Sequence, residues 1–323
     1  MTLTQLEYIV AVAETRSFFR AAERCHVTQP TLSQQIKKFE DVLGVVVFDR
    51  SRKPVDLTPA GETLIAQARR ILDEANQMRR FVDQNAISAL SGDVRLAIIP
   101  TLAPFLLPRL VRSLQENYPD LKLHIEELQT ETIADRLLKG DLDFGIMATP
   151  LGETRLDERP VFYEPIYLYF SPHHTIADKK IIRAGDLNRN EVYLLADGHR
   201  FRDQALELCR DRRARRESTN GHFDFAGGSL QTLKEMVDAV GGYTLLPWFA
   251  CHEYLSSRDR DRIRPFYPPA PVREVSVVSR AHELNTKSMA AMVAALRESL
   301  PKELIDAPNS KQNVLPIHLR RQS

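Results

Sequence analysis

The side chains able to do more than pack are three cysteines, nine histidines and several clusters of arginine and lysine in a chain of 323 residues. A thiol acts as a nucleophile or a peroxide trap only as its thiolate, which a cationic neighbour favours. Cys209 stands ten residues after His199 and nine after Arg200. His199 as base and Cys209 as nucleophile would make an enzyme, but their spacing supports no triad, and such pairs arise by chance in any chain this rich in histidine. Cys25, Cys209 and Cys251 make no disulfide framework, and no pair has metal-ligand spacing, so neither metal nor cofactor is expected. Cys209 reads either as a redox thiol or as a small buried residue on a helix, and Cys25 as a packing residue.

Arg200 offers a second chemistry. It precedes an expected helix over Phe201–Arg210, where free backbone N–H groups and the helix dipole favour an anion. With His199 beside it and Thr101 and Thr130 as hydroxyl donors, it could hold a carboxylate or another small anion. Three other readings stay open: Arg200 reaches solvent, pairs with Asp203, or locks one conformation. The basic run Arg210–Arg216 (RDRRARR) reads as a solvated face rather than a second nucleic-acid contact.

The third chemistry is recognition. Within Ser17–Lys53, a short helix with Ala21 and Ala22 lets a second helix cross closely. After the break at Cys25-His26-Val27, Thr28 is an expected N-cap and Pro30 fits a first helical turn. Leu32, Ile36, Phe39 and Leu43 predict one buried stripe. Pro30, Gln34, Lys37, Lys38 and Asp41 then face away, with Thr31 and Ser33 on the flanks, and Gly44 is the expected αL cap. Outward Gln, Ser, Thr and Lys suit hydrogen bonds to base edges and neutralisation of phosphates. The DNA-contacting set is Gln29, Pro30, Thr31, Ser33, Gln34, Lys37 and Lys38, with Arg50, Arg52 and Lys53 on a hairpin between the β-prone runs Val45–Phe48 and Val55–Leu57.

The elements that must position these residues follow in order. Hydrophobic content of 43% with 27% charged residues describes a globular, soluble chain. Net charge is only +1, and the first 60 residues carry eight Lys/Arg against seven Asp/Glu, so basic character is local rather than global. The start, MTLTQLEYIVAVAETRS, reads as an amphipathic helix and not as a signal peptide, no run is long enough to span a bilayer, and the cytoplasm is expected. Thr58-Pro59-Ala60-Gly61-Glu62 opens a helix in which Leu64, Ala68, Ile71, Ala75, Met78 and Val82 form an a/d seam, favouring a homodimer. Ile65 and Leu72 broaden that seam toward ordinary intrachain packing. From Asp93, strands and helices alternate as an open α/β domain with a mostly parallel sheet, in two lobes with a cleft at the strand ends. The expected domains are 1–58, a linker helix 59–90, an effector domain 91–300 (91–162 with 269–300, and 163–268), and a loosely ordered tail 301–323.

The run LEYIVAVAETRSFFRAAERCHVTQPTLSQQIKKFEDVLGVVVFDRSRKPVDLTPAG closely resembles the winged helix-turn-helix of LysR-type transcriptional regulators. Its AA, V-T-Q-P-T-L-S, K-x-E-D-x-L-G, F-x-R and L-T-x-A-G elements occur in the family's order. The resemblance implies a winged helix-turn-helix, a linker helix and a two-lobed, periplasmic-binding-protein-like α/β effector domain. It further implies a DNA-binding regulator, usually a homotetramer, working with RNA polymerase. From Leu96 to Pro247 it narrows to the OxyR, peroxide-sensing branch, through I-P-T, L-L-P, E-L-Q-T, L-L-A-D-G-H-R-F-R-D-Q-A, S-L-Q-T-L and T-L-L-P. In that branch the histidine of D-G-H precedes the peroxide-reactive cysteine. Here that position is Arg200, while Cys209 stands where the resolving cysteine belongs. A guanidinium can be neither oxidised to a sulfenic acid nor trapped by a thiol. The expected effector set is Thr101, Thr130, His199, Arg200, Asp203 and Ser229, with Cys209 as the one redox candidate.

A DNA-binding regulator with a small-molecule or redox sensor is therefore the leading expectation. A solute-binding protein of the same two-lobed form would carry an export signal and no reading head.

Overall fold

The computed structural model describes all residues except 53, 85–89, 91, 189–190, 197–198, 209–227, 258, 282–285, 306–313 and 316–323. The expectations for Lys53, the end of the linker helix over 85–89, Cys209, the Arg210–Arg216 run and most of the tail lie outside the described residues. The chain forms two compact units, Met1–Ser88 and Ala89–Ser323.

In the first unit, α1 (Leu3–Thr15), α2 (Phe18–Arg24) and α3 (Gln29–Leu43) pack around Ile9, Val12, Ala21, Leu32, Ile36 and Phe39. The two alanines are buried, as close helix crossing requires. The predicted stripe on α3 stops one turn early. Leu43 is 40% exposed, because Glu40 rather than an apolar residue takes the last buried position. A two-residue hairpin, β1 (Phe48–Asp49) with β2 (Asp56–Leu57), follows, shorter than the predicted runs. Val46, inside one of those runs, is 60% exposed.

Helix α4 (Pro59–Gln84) has 26 residues, about 39 Å at the usual rise. Gly61 meets the hairpin base so closely that a Cβ there would lie 2.2 Å from the Val47 carbonyl oxygen. The helix's first half packs within its own unit: Ile65 and Ala68 are buried in the core, with Leu64 and Leu72 against it. The early part of the predicted seam is thus spent intrachain. Ile71 and Met78 remain exposed.

The second unit is built on one sheet. Its strands are β3 (Gly92–Ile98), β4 (Leu121–Glu127), β5 (Phe144–Thr149), β6 (Leu156–Phe170), β7 (Val192–Tyr193), β8 (Tyr243–Pro247), β9 (Ile263–Arg264) and β10 (Val272–Arg280). Their order among the described residues is β4-β3-β5-β10-β6-β8-β7, with β9 also on β6. Strands β3, β4 and β5 run parallel, as do β7 and β8, but β10 is antiparallel to both β5 and β6, and β8 to β6. The sheet is mixed rather than mostly parallel, because two strands serve both lobes. The 15 residues of β6 pair with β10 up to Pro165 and with β8 from Ile166. A bulge at Val275/Ser276 accommodates Pro160, which cannot donate to the ladder.

The first lobe carries α5 (Ala103–Asn117), α6 (Thr130–Lys139) and α10 (Thr286–Glu298). The second carries α7 (Arg200–Leu208), α8 (Leu230–Val240) and α9 (Trp248–Glu253), and α11 (Lys302–Ile305) follows α10. Helices α9 and α11 and strand β9 went unpredicted, being too short to show a period. The expected loose tail needs a correction at Val314–Leu315: Val314 bridges to Val272, and Leu315 is 7% exposed. An apolar side chain with a core gap in reach docks even from a segment of weak periodicity.

Candidate functional site

The first candidate site is the outward face of α3. The helix-turn-helix bend is set by His26, which takes a left-handed φ of 55° between α2 and the N-cap Thr28. Thr28 makes no side-chain cap; its hydroxyl meets that of Thr31 at 2.8 Å. Gln29, Pro30, Thr31, Gln34, Lys37 and Lys38 are exposed, and Ser33 is half-buried. Gln35 turns inward, accepting from Gln5 Nε2 at 3.1 Å. Lys37 and Lys38 form no ion pair among the described residues.

The hairpin is held by a residue that pattern reading missed. Buried Glu40 accepts from the Val47 N–H at 2.8 Å and from Arg50 Nη2 at 2.9 Å, so one carboxylate ties α3 to both ends of β1. The Arg50 guanidinium also lies over the Phe18 ring, 5.1 Å from its centroid. Arg52 faces Asp49 at 3.3 Å and Asp56 at 3.7 Å. Arg50 and Arg52 are exposed yet internally balanced, whereas the lysines of α3 are not.

The second candidate site lies between the lobes of the second unit. Thr101, Thr130, His199, Arg200 and Arg273 line a cavity of about 10 Å³ with Gln129, Ile99, Pro100, Ala148 and Phe201. That is room for roughly one water molecule. Arg200 opens α7 and turns inward with its side chain 4% exposed, so it does not reach solvent. Its Nη2 lies 2.6 Å from Glu131 Oε1, in the first turn of α6, and its Nη1 donates to Asp203 Oδ2 at 3.4 Å. The contact with Glu131 is an ion pair without hydrogen-bond geometry: Arg200 Nε and Nη2 and Glu131 Oε2 are buried without a hydrogen-bond partner. Burial pushes the His199 imidazole below its usual pKa, so the ring stays neutral near pH 7.

Arg273, on β10, is the other guanidinium of this cavity. It is fully buried, and its Nε donates to Glu164 Oε2 at 2.7 Å and its Nη1 to Thr101 Oγ1 at 2.8 Å. Glu164 Oε1 accepts from the Phe249 N–H at 2.9 Å, so this pair joins β6, β10, α9 and the β3–α5 turn. Burial pushes the Glu164 carboxyl up, against the pull of Arg273 and that N–H. Phe201 lies under the Arg273 guanidinium, 5.4 Å away.

Of the predicted effector residues, the fold brings Thr101, Thr130, His199 and Arg200 together. Asp203 stands behind, holding Arg200, and does not line the cavity. Ser229 is elsewhere: it is the N-cap of α8, accepting from the Thr232 N–H at 3.1 Å. Arg273, Glu164 and Glu131 were missed. The signal available for the first two was charge inside an apolar strand run, one residue in Y-E-P-I-Y and two in P-V-R-E-V. Cys251 is buried, and its thiol is pushed far up by burial and by the nearby Glu164 charge. Among the described residues no group of three or more His, Cys, Asp or Glu could hold a metal ion, and no helix is long and apolar enough to cross a membrane.

Comparison with known proteins matches both units of the chain. Residues 3–62 match the bacterial regulatory helix-turn-helix protein, lysR family, and residues 88–301 match the LysR substrate binding domain. The chain is 38% identical over 282 residues to a hydrogen peroxide-inducible genes activator of Dickeya chrysanthemi, covering 87% of this chain and 90% of that protein. It is 37% identical over 282 residues to the DNA-binding transcriptional dual regulator OxyR of Escherichia coli K12, with the same coverage. Among solved structures, a full-length OxyR variant from Pseudomonas aeruginosa superposes with a TM-score of 0.73 at 37% identity, covering 92% of this chain and 98% of that one. The chain belongs to the LysR family of transcriptional regulators and is OxyR-like within it.

Proposed function

We propose that this regulator binds double-stranded DNA through the outward face of α3 and the adjoining hairpin, and sets transcription by RNA polymerase in response to a signal at the Arg200 cavity. Residues 1–58 form the reading domain, 59–90 the dimerisation helix and 91–300 the effector domain. The protein works as a homodimer along α4 and as a homotetramer in the cytoplasm. Exposed Ile71 and Met78 support pairing along the outer half of α4.

One observation carries the reading of the signal. Where the peroxide-sensing branch has its reactive cysteine, a buried Arg200 is already paired with Glu131. Thiolate oxidation at this position is therefore not the trigger. With space for about one water, a larger anionic effector has to displace Glu131 or Asp203 from the guanidinium. Activation by peroxide through Cys209 and a second thiol is the runner-up, supported by the names of the relatives. The burial and raised pKa of Cys251 weigh against it as that second thiol.

A mobility-shift assay at two salt concentrations, on duplexes selected from a random pool, tests the DNA half. Gln34→Ala and Lys37→Ala are expected to weaken binding with the fold intact, and the salt slope to fall in Lys37→Ala. Unchanged binding in both removes α3 as the reading helix. Thiol mapping before and after peroxide tests the signal half. A Cys209–Cys251 or intersubunit disulfide that alters DNA binding restores the runner-up.

A further inference from the structure

Strand β10 begins at Val272, one residue before Arg273, and it has a neighbour from far along the chain. Val314 forms a parallel bridge with Val272, and the Leu315 N–H donates to the Val272 carbonyl at 3.0 Å. The Leu315 carbonyl in turn accepts from Gln204 Nε2 at 3.3 Å, across 111 positions of sequence. Leu315 itself is 7% exposed and is part of the main core.

Gln204 is fully buried on α7, one helical turn after Arg200. Residues four apart share a helix face, so Arg200 and Gln204 look the same way. Glu131 grips that face at its first turn, and Leu315 grips it one turn later. The Gln204 Oε1 has no hydrogen-bond partner, so among the described residues the Leu315 carbonyl, accepting from Nε2, is the one partner of this buried amide. The same two-residue segment therefore touches the strand that carries Arg273 and the helix that carries Arg200. A single buried leucine, one bridge and two hydrogen bonds form a contact small enough to open without unfolding the lobe.

We propose that Val314–Leu315 is a strap that holds α7 against β10, and that its release frees Arg200 to leave Glu131. The regulatory half of this proposal rests on reading α7 as the signal-bearing helix; the holding itself does not.

Hydrogen exchange on the full-length protein tests the holding. Leu315→Asp is expected to speed exchange of the α7 amides by about tenfold while those of α5 and α8 keep their rates. The conservative Leu315→Met is expected to retain the wild-type pattern. Wild-type exchange of α7 in Leu315→Asp, or equal acceleration in all three helices, overturns the strap. Transcription in vitro from a selected duplex tests the regulatory half, with Leu315→Asp expected to shift output in the direction of Glu131→Gln. Faster α7 exchange with unchanged output refutes α7 as the signal-bearing helix and leaves the strap standing.

Discussion

Arg200 and Glu131 join the first turns of α7 and α6 by an ion pair of 2.6 Å, one partner in each lobe of the effector domain. Each residue sits where a helix dipole is positive, which suits Glu131 and opposes Arg200. The arginine is tolerated there because Glu131 and Asp203 neutralise it. Arg200 is buried while the Glu131 side chain is 29% exposed, so the pair is costlier to break from the Glu131 side, which leaves the guanidinium desolvated.

Glu131→Ala is expected to destabilise the effector domain by about 3 kcal/mol, and Arg200→Ala by less, because the carboxylate it leaves keeps access to water. The double variant Arg200→Ala/Glu131→Ala should cost less than the sum of the single changes, because neither partner is left facing an empty site. Urea denaturation of the four proteins as a double-mutant cycle checks this. Additive losses would show that the pair is not coupled.

Glu40→Ala removes the acceptor of the Val47 N–H and the anchor of Arg50. The expected outcome is a loss of about 2 kcal/mol in the first unit, together with weaker DNA binding, although Glu40 is buried away from the reading face. Equal affinity for a selected duplex in wild type and variant would separate the hairpin from recognition.

Gly61→Ala places a Cβ against the Val47 carbonyl. Backbone on both sides leaves little room to yield, so a cost of about 2 kcal/mol is expected. Thermal unfolding followed by circular dichroism measures it, and an unchanged midpoint would mean that the start of α4 moves freely from the hairpin.

The second lobe should carry an acid-sensitive brace. Asp238 is penalised by burial, but hydrogen bonds from Lys234, Tyr169 and Arg262 outweigh this and hold its pKa below the ordinary value. Asp259 is lowered in the same way, through Ser256 and Arg262. A depressed folded pKa gives stability that is present above the unfolded value, about 3.9, and is lost as pH falls through the folded one. Asp238→Asn is therefore expected to flatten the acid limb of stability against pH. An identical limb in both proteins would place the acid sensitivity elsewhere.

Cys251 is expected to resist alkylation in the native protein and to react fully once unfolded, since its thiol is buried and its pKa is raised. Native labelling at the rate of a free thiol would contradict the packing around Leu246 and Glu164.

By itself the sequence determined the family, the helix-turn-helix and the absence of a cysteine at position 200. Those are properties of residue type, period and local order: Ala21 and Ala22, Thr28 to Gly44, and the D-G-H-R run need no distant partner to be read. Only the tertiary structure decided what Arg200 does. Whether a guanidinium holds a ligand, reaches solvent or closes a pair depends on Glu131, 69 positions earlier, and nothing local to either residue announces the other. The same holds for Arg273 with Glu164 and for Leu315 with Gln204. Local pattern reports which face of an element is apolar, while a buried charge is specified by long-range geometry, because its cost is met by whichever partner the fold brings within hydrogen-bonding distance.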